Sequence, residues 1–133
     1  MNFINRSHVC NYANQNTLKR KIHFSGVGVH NGRAVSMSIE PSDVNSGIVF
    51  VRTDVKSNNV IRAVIDNVVV SSLCTKIENT YGVSVSTIEH LMAAFSALNI
   101  DNVIVKINSP ELPALDGSSH EYVKKILKVG TKR

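Results

Sequence analysis

Hydrophobic and polar residues alternate along much of the chain, with the period of two that is typical of half-buried β-strands. The clearest example is residues 35–40, where Val35, Met37 and Ile39 alternate with polar side chains. We expect Pro41 to end this strand, because proline has no backbone N–H to donate. Similar patterns predict further strands at residues 18–30, 47–54, 60–70 and 102–107, and a short hairpin at residues 76–85.

A glycine-rich segment, S-G-V-G-V-H-N-G, occupies residues 25–32 at the end of the first predicted strand. Its glycines are spaced G-x-G-x-x-x-G and precede a hairpin turn, whereas a loop that binds dinucleotide phosphates opens a helix. We therefore interpret the segment as a bend in an edge hairpin. The turn is predicted at Asn31-Gly32, a dipeptide that tolerates the positive φ angles of a type I′ turn.

The hydrophobic period changes to that of a helix at residues 87–98. Ser86 stands where an N-cap is expected, and Glu89 follows three residues later, which is the spacing of a capping box. Asn99 suits the C-terminal end of this helix, because asparagine tolerates the positive φ angle found there. The main apolar stripe of the helix consists of Ile88, Leu91, Met92, Phe95 and Leu98.

A second helix is predicted to begin near Ser118 and to end at Gly130. It repeats the Ser-x-x-Glu spacing with Glu121, and the helical period predicts that Tyr122, Val123, Ile126 and Leu127 are buried. The order of elements is therefore mostly antiparallel strands, a helix, a strand and a helix. This order predicts an α+β fold, a two-layer sandwich of a mostly antiparallel sheet with two helices on one face.

Length and composition indicate one soluble globular domain with an aliphatic core, since the 133 residues include no Trp and few other aromatics. Residues 1–16 form a polar leader that we expect to be disordered, and residues 17–130 form the domain. The leader has no apolar core of a secretory signal, and no apolar run is long enough to span a membrane. The cysteines, Cys10 and Cys74, form no CxxC motif and suit a reducing, cytoplasmic location.

The formal net charge is +5, and much of the basic excess lies near the two ends of the sequence. A basic tail can bind nucleic acid or an anionic membrane surface, although a solvated helix face and a frayed terminus are the favoured interpretation. No aromatic residues interleave with the basic ones, as a platform for single-stranded nucleic acid requires. An anionic small substrate, such as a nucleotide sugar, is equally compatible with the charge. The basic residues are Lys19, Arg20 and Lys21, and Lys124, Lys125, Lys128, Lys132 and Arg133.

Glu89 and His90 are the candidate chemical residues, at the start of the first predicted helix. At about 100° per residue, His90 points away from the apolar stripe and shares a face with Ala93, Ala94 and Ala97. A solvent-exposed face normally carries Lys or Glu, so these alanines predict a second surface packed against the helix. The structural interpretation is that Glu89 only caps its helix and that His90 is a partly buried polar residue.

The pair also suits metal chemistry, because a neutral imidazole is a good zinc ligand and a neighbouring carboxylate can accept a proton from water. Catalytic zinc, however, usually has three protein ligands. Nothing in the sequence spacing shows that another histidine joins His90. The other histidines are His8, His23, His30 and His120.

Residues 86–94, S-T-I-E-H-L-M-A-A, resemble the S-T-[VI]-E-H-L-x-A-A signature of the UDP-3-O-acyl-N-acetylglucosamine deacetylase (LpxC) family. Five other segments resemble motifs of that family in the same order, and the resemblance runs from about residue 17 to residue 127. Residues 26–32 resemble G-x-G-L-H-T-G, with Val29 and Asn31 replacing Leu and Thr. The others are Arg52-Thr53-Asp54 (R-T-D), Leu73-Cys74-Thr75 (L-C-T), Ile100-Asp101-Asn102 (I-D-N) and residues 110–118 (P-E-[IV]-P-x-[ML]-D-G-S).

The resemblance implies a fold in which two similar two-layer domains pack face to face around a zinc ion, and a similar fold occurs in ribosomal protein S5 domain 2. It implies that Glu89 is the general base for the attacking water and that His90 is a zinc ligand. The implied reaction, in lipid A biosynthesis, hydrolyses the N-acetyl group of a UDP-linked 3-O-acyl-glucosamine and releases acetate. No residue of this sequence is assigned to substrate binding.

The family's remaining zinc ligands come from a second domain, in an H-K-x-x-x-D segment that residues 1–133 lack. We therefore expect this polypeptide to be the N-terminal half, without the C-terminal catalytic domain and inactive unless another chain supplies that domain. The alternative is a non-catalytic, stand-alone binding domain whose basic ends contact nucleic acid or a protein partner; nucleic acid is the less favoured partner.

Overall fold

A computed structural model describes residues 14–133 of the protein. This part of the chain contains ten β-strands and two α-helices. The strands are β1 (Thr17–Leu18), β2 (Ile22–Val27), β3 (Ala34–Pro41), β4 (Ile48–Arg52), β5 (Val60–Arg62), β6 (Val68–Val69), β7 (Lys76–Glu78), β8 (Ser84–Ser86), β9 (Val103–Ile107) and β10 (Thr131–Lys132). The helices are α1 (Glu89–Ala97) and α2 (His120–Val129).

Five strands form the main sheet, in the order β2-β3-β9-β4-β5. Strands β4 and β9 run parallel, and the other neighbouring pairs are antiparallel. The register places Phe24 opposite Met37, Met37 opposite Ile107, and Phe50 opposite Val105. These side chains are buried, so the hydrophobic alternation of the sequence becomes one apolar face of the sheet.

Both helices cover this apolar face. Leu91 and Phe95 of α1, and Tyr122 and Ile126 of α2, are buried in the same core as the sheet residues. The ring of Tyr122 meets the ring of Phe24 edge to face, with 5.0 Å between the centroids. The predicted α+β two-layer sandwich is thus confirmed. Within residues 14–133, neither helix is long and apolar enough to cross a membrane.

A smaller three-stranded sheet, in the order β6-β7-β8, leads into α1. A 3₁₀ turn at Ile65–Asn67 separates β5 from β6, so the predicted strand region at residues 60–70 consists of two short strands. Ile77 and Val85 of the small sheet are fully buried. One nitrogen of the Arg52 guanidinium donates to the carbonyl of Ser84 at 2.8 Å, which links the two sheets.

The end of the predicted leader contacts the domain. The carbonyl of Asn16 accepts the backbone N–H groups of Asp101 and Asn102 at 2.9 and 3.2 Å. The side-chain amide of Asn102 also donates to Oε1 of Gln15 at 2.8 Å. Most of the leader predicted at residues 1–16 lies outside the described residues, so its predicted disorder remains a prediction.

The first hairpin differs from its prediction. The predicted first strand is interrupted, because β1 ends at Leu18 and β2 begins only at Ile22. The connection between β2 and β3 spans residues 28–33, and within it only Gly32 has a positive φ angle, of 65°. A two-residue type I′ turn, which needs two positive φ angles, was therefore the wrong prediction. A carboxylate from a distant segment, Glu111, binds this loop.

The first helix begins later than predicted, and its predicted capping box is absent. Ser86 belongs to β8, and its hydroxyl donates to the carbonyl of Pro110. Thr87 has a φ angle of 62°, which excludes it from a right-handed helix, so α1 starts at Glu89. The Glu89 carboxylate accepts the N–H of Thr75. Tertiary partners have therefore replaced the local cap.

The second helix begins at His120, close to the predicted start, but no side chain caps it in the predicted Ser-x-x-Glu manner. Instead, the hydroxyl of Ser118 accepts the N–H of His120 at 3.2 Å. Gly130, with a φ angle of 88°, follows the last helical residue as predicted. Asn99, at the end of α1, has a φ angle of 56°, which also agrees with its predicted position.

Candidate functional site

Glu89 and His90 are the first two residues of α1, and both side chains are half-buried. Oε1 of Glu89 accepts the backbone N–H of Thr75 at 3.1 Å. The carbonyl of Thr75 in turn accepts the N–H groups of Thr87 and Ile88 at 2.9 and 3.3 Å. Thr75 therefore fixes both the backbone entry into α1 and one oxygen of the Glu89 carboxylate. We call this arrangement the Thr75 clamp.

Thr87 lies between β8 and α1 in a backbone conformation that β-branched residues rarely adopt. Its φ angle of 62° brings Cβ too close to the backbone, and such a conformation costs about 1–3 kcal/mol. It persists only where the surroundings enforce it, and here the Thr75 carbonyl holds its N–H. The conformation turns the chain sharply, so that Glu89 and His90 begin a new helix immediately after a strand.

A buried carboxylate lies on the other side of Thr87. The Glu111 side chain is only 4% exposed. Both of its oxygens accept the N–H of His30 at 2.9 Å, and the N–H of Asn31 donates to Oε1 at 3.3 Å. The Nδ1 atom of the His30 ring and the Thr87 hydroxyl, which lies 3.5 Å away, complete its partners. Glu111 thus ties the glycine-rich loop to the residues that precede α1.

These contacts determine the charge state of Glu111. Burial raises the pKa of this carboxyl, but the N–H groups of His30 and Asn31 and the His30 ring outweigh burial and hold the pKa below its ordinary value. Glu111 is therefore ionised near neutral pH. An ionised carboxylate that accepts several N–H groups is a fixed anchor for the loop.

Gly28 is the residue that makes room for this carboxylate. A Cβ atom at position 28 would overlap Oε1 of Glu111 and lie 3.2 Å from its Cδ. The φ angle of Gly28 is not positive, so close approach rather than backbone freedom requires glycine here. The prediction of a glycine-rich bend in an edge hairpin is confirmed, because β2 is an edge strand, and its glycine has a specific partner.

The residues present fit part of a zinc site. The ring of His90 makes no hydrogen bond or ion pair with the rest of the described chain, so its nitrogens are available as ligands. Within residues 14–133, no group of three or more His, Cys, Asp or Glu residues could hold a metal ion. His23 and His120 are exposed, His30 binds Glu111, and His8 lies outside the described residues. This part of the chain offers one imidazole and one carboxylate.

The alanine face predicted around His90 is smaller than expected. Ala94 is 1% exposed and belongs to the core of the domain, so its assignment to an outer face was wrong. The error arises because the hydrophobic core of the domain covers a wider face of α1 than the main apolar stripe alone. Ala93 and Ala97 are exposed, so two small side chains lie on the open face of α1 beside the half-buried His90.

Two other motifs of the resemblance stabilise the fold at a distance from this centre. Arg52 donates to both carboxylate oxygens of Asp54 at 2.8 Å, and these hydrogen bonds lower the pKa of Asp54 despite the opposing effect of burial. Asn102 accepts the N–H of Gly47 on its side chain, and its backbone carbonyl accepts the hydroxyl of Thr17.

Three residues of the centre had no assigned role in the sequence: Thr75, Thr87 and Glu111. Each belongs to a segment that resembles a family motif, yet its residue type alone indicates only a loop. The L-C-T segment supplies Thr75, and the P-E-L-P segment supplies Glu111. What identifies them is their position in the fold, because four of the six motifs meet around Thr87.

Comparison with known proteins agrees with this convergence. A family model described as UDP-3-O-acyl N-acetylglycosamine deacetylase matches residues 15–133. A protein named UDP-3-O-acyl-N-acetylglucosamine deacetylase from Tolumonas auensis is 47% identical over 109 residues, which are 82% of this chain and 36% of the relative. One of the same name from Shewanella sediminis is 44% identical over 116 residues, which are 87% of this chain and 38% of the relative.

The chain therefore spans somewhat more than a third of the length of these curated relatives. The match covers nearly all of the described residues, including the Thr75 clamp, Glu111 and the Glu89-His90 pair. The resemblance that the six motifs predicted is thereby confirmed. The chain belongs to the UDP-3-O-acyl-N-acetylglucosamine deacetylase family.

Proposed function

We propose that this chain provides the N-terminal half of a zinc-dependent deacetylase that hydrolyses the N-acetyl group of UDP-3-O-acyl-N-acetylglucosamine in lipid A biosynthesis. In this proposal Glu89 is the general base and His90 is one zinc ligand. The observation that carries it is the pair itself: a carboxylate held by the Thr75 clamp and, next to it on the first turn of α1, an imidazole without a hydrogen-bond partner among residues 14–133. The proposed compartment is the cytoplasm, which suits the free thiol of Cys74.

Zinc, when bound, would act as a Lewis acid that polarises the amide carbonyl of the substrate. The chain's own contribution is the orientation of the Glu89 carboxylate beside His90. The N–H of Thr75 holds Oε1 of Glu89, which leaves Oε2 to accept a proton from the attacking water. A positioned general base of this kind typically contributes about 10²- to 10⁴-fold in rate.

One imidazole does not hold catalytic zinc tightly, because the affinity of such sites comes from several preorganised ligands. We propose that the remaining ligands lie on polypeptide outside these 133 residues, either continuous with them or on a complementing chain. The exposed stripe of Ala93 and Ala97 beside His90 supports this view, since small side chains let another backbone approach closely. The 133 residues alone are then inactive.

The test is to combine the chain with the rest of the Tolumonas auensis relative, supplied as a separate polypeptide, and to measure bound zinc and released acetate. We expect zinc binding and deacetylation only in the mixture. His90→Ala should abolish stoichiometric zinc. Glu89→Gln keeps a carbonyl oxygen for the Thr75 N–H, so it should retain zinc but lose most of the turnover.

His120→Ala is the matched control, because His120 is an exposed histidine at the start of the other helix. It should leave both zinc and turnover unchanged. Stoichiometric zinc and turnover in the isolated chain would contradict the half-site proposal. Full activity of Glu89→Gln would contradict the role of Glu89. The alternative of a non-catalytic binding domain has no support from the family comparison.

A further inference from the structure

The fold brings the two basic ends of the sequence together. Strand β1 pairs with β10, so that Leu18 lies opposite Thr131, and the N–H of Lys19 donates to the carbonyl of Gly130 at 3.0 Å. The Lys19 side chain also lies against Gly130, where a Cβ atom would be 3.2 Å from its Cδ. Residues 17–21 and 124–133 therefore meet in one region, which we call the basic end.

The charge of the basic end is strongly one-sided. It contains eight of the 15 basic residues of the chain and none of the ten acidic residues. The remainder of the chain, with seven basic and ten acidic residues, has the opposite net charge. Four carboxylates adjoin the basic end: Glu40 lies 3.8 Å from Nζ of Lys21, Asp43 lines a cleft with Lys132 and Arg133, and Asp116 and Glu121 line a cleft with Lys125. Four acids beside eight basic residues still leave the basic end with a net positive charge.

Exposed aliphatic side chains accompany this charge. Leu127, which the helical period wrongly predicted to be buried, is 65% exposed on α2. In the sequence it lies between Lys124 and Lys128, which are one helical turn apart on the same side of the helix. Val44 is also 65% exposed and lines the cleft that contains Lys132. Lysines around exposed aliphatic side chains are typical of surfaces that lie in a membrane interface, where the aliphatic groups leave water and the ammonium groups meet lipid phosphates.

We propose that the basic end docks this protein on an anionic lipid bilayer, with Leu127 and Val44 among the lipid headgroups. Nucleic acid fits the surface less well. Proteins that bind its single strands stack the bases on aromatic side chains, and residues 17–21 and 124–133 contain none. Its phosphate backbone also offers no apolar surface for the exposed aliphatic side chains. The inference rests on the charge and exposure of this surface and does not depend on the deacetylase proposal.

The experiment measures the partition of the full chain onto vesicles of phosphatidylcholine, with and without phosphatidylglycerol, in a series of salt concentrations. Each basic residue near an anionic bilayer strengthens binding about fivefold, and salt screens the effect. We expect binding only to the vesicles that contain phosphatidylglycerol. The double variant Lys124→Gln/Lys128→Gln should bind roughly 30-fold more weakly.

The matched control is Arg33→Gln/Lys56→Gln, which removes the same charge from loops at the opposite end of the main sheet. This variant should bind the anionic vesicles within about twofold of the original chain. The substituted residues lie far from the bilayer, and salt screens charges that are more than a Debye length, about 10 Å, away. Leu127→Ser tests the aliphatic contact separately. It should weaken binding at every salt concentration, whereas the lysine variant matters most at low salt.

Equal binding of both double variants would overturn the proposal, because net charge rather than the basic end would then be responsible. Equal binding to both kinds of vesicle would also overturn it. So would tight, salt-sensitive binding to duplex RNA by a chain that ignores anionic vesicles, which would favour nucleic acid. Zinc, substrate and a second domain are absent from the assay, so its failure leaves the deacetylase proposal intact.

Discussion

Replacing Gly28 with alanine tests whether Glu111 organises the site. The new Cβ atom would overlap Oε1 of Glu111, and the neighbouring segments leave the carboxylate little space because its side chain is 4% exposed. The carboxylate must therefore move away from the N–H groups of His30 and Asn31. The overlap with Oδ1 of the exposed Asn31 is relieved more easily, because that side chain can rotate into solvent and loses only its hydrogen bond from the N–H of Arg33.

The expected cost follows from the hydrogen bonds that are lost. A hydrogen bond to a charged group contributes about 1.5–3 kcal/mol, and partial relaxation of the loop recovers some of it. We therefore expect Gly28→Ala to lower the free energy of unfolding by about 2–4 kcal/mol. For a domain of this size, the melting temperature should fall on the order of 10 °C.

The assay is urea and thermal unfolding of a double-mutant cycle, with Gly28→Ala, Glu111→Ala and the combination of both. Without the carboxylate only the exposed Asn31 side chain remains for the new methyl group to displace, so Gly28→Ala should cost about 1 kcal/mol or less in the Glu111→Ala background. Gly32→Ala is the control in the same loop. It meets no atom within 4 Å and should cost only the strain of its positive φ angle, about 1 kcal/mol.

If Gly28→Ala costs the same in both backgrounds, the overlap with Glu111 is not the reason for glycine at this position. A Gly28→Ala variant as stable as the original chain would refute the same reasoning more directly. A cost equal to that of Gly32→Ala would show that position 28 needs glycine only as a general loop residue.

The pKa of the Glu111 carboxyl is lower in the folded state than its ordinary value of 4.5. The ionised carboxylate therefore stabilises the fold at pH values above 4.5, and this contribution is lost as the pH falls from 4.5 through the folded-state pKa. Glu111→Gln should therefore show a weaker loss of stability between neutral and acidic pH in urea unfolding, and an unchanged pH slope would contradict this. Thr87→Gly should be at least about 1 kcal/mol more stable than Thr87→Ala, since only glycine relieves the φ angle of 62°; equal melting of the two variants would argue against strain. Phe95→Ala should cost about 3–5 kcal/mol, because the side chain is fully buried in the core under α1, whereas Leu127→Ala should stay within about 0.5 kcal/mol in the same unfolding assay.

Much of the fold could be predicted because its determinants are local. The alternation at residues 35–40 defines one face of β3, and the same period identifies β9. Gly130 ends α2 through its own φ angle of 88°, a property of the residue type. The two-layer architecture needed no distant information, since an order of strands and helices with these buried faces has few two-layer solutions. The strand order and the parallel pairing of β4 with β9 were not predicted, because they depend on contacts between segments far apart in the sequence.

The capping boxes failed for a physical reason that also limits prediction of the site. A spacing rule compares a residue with its near neighbours, but Ser86 and Glu89 are bound by Pro110 and Thr75. Their polar groups found partners across the fold, so the local cap was no longer needed. A correct Ser-x-x-Glu spacing therefore identified the start of a helix to within a few residues and misidentified what holds it.

The same reasoning explains why Glu89 and His90 could be named as candidates from the sequence while the residues that hold them could not. The pair is contiguous and lies within one segment that resembles a family signature, and that resemblance alone implies its roles. Glu111 is 81 positions from His30, and its role exists only when the loop, the P-E-L-P segment and Thr87 meet. The candidate residues thus lie within one short segment, whereas the contacts that position them join segments far apart in the sequence. A substitution at Gly28, far from the pair in sequence, should accordingly disturb the entry into α1 more than an exposed substitution within α1, such as Ser96→Ala.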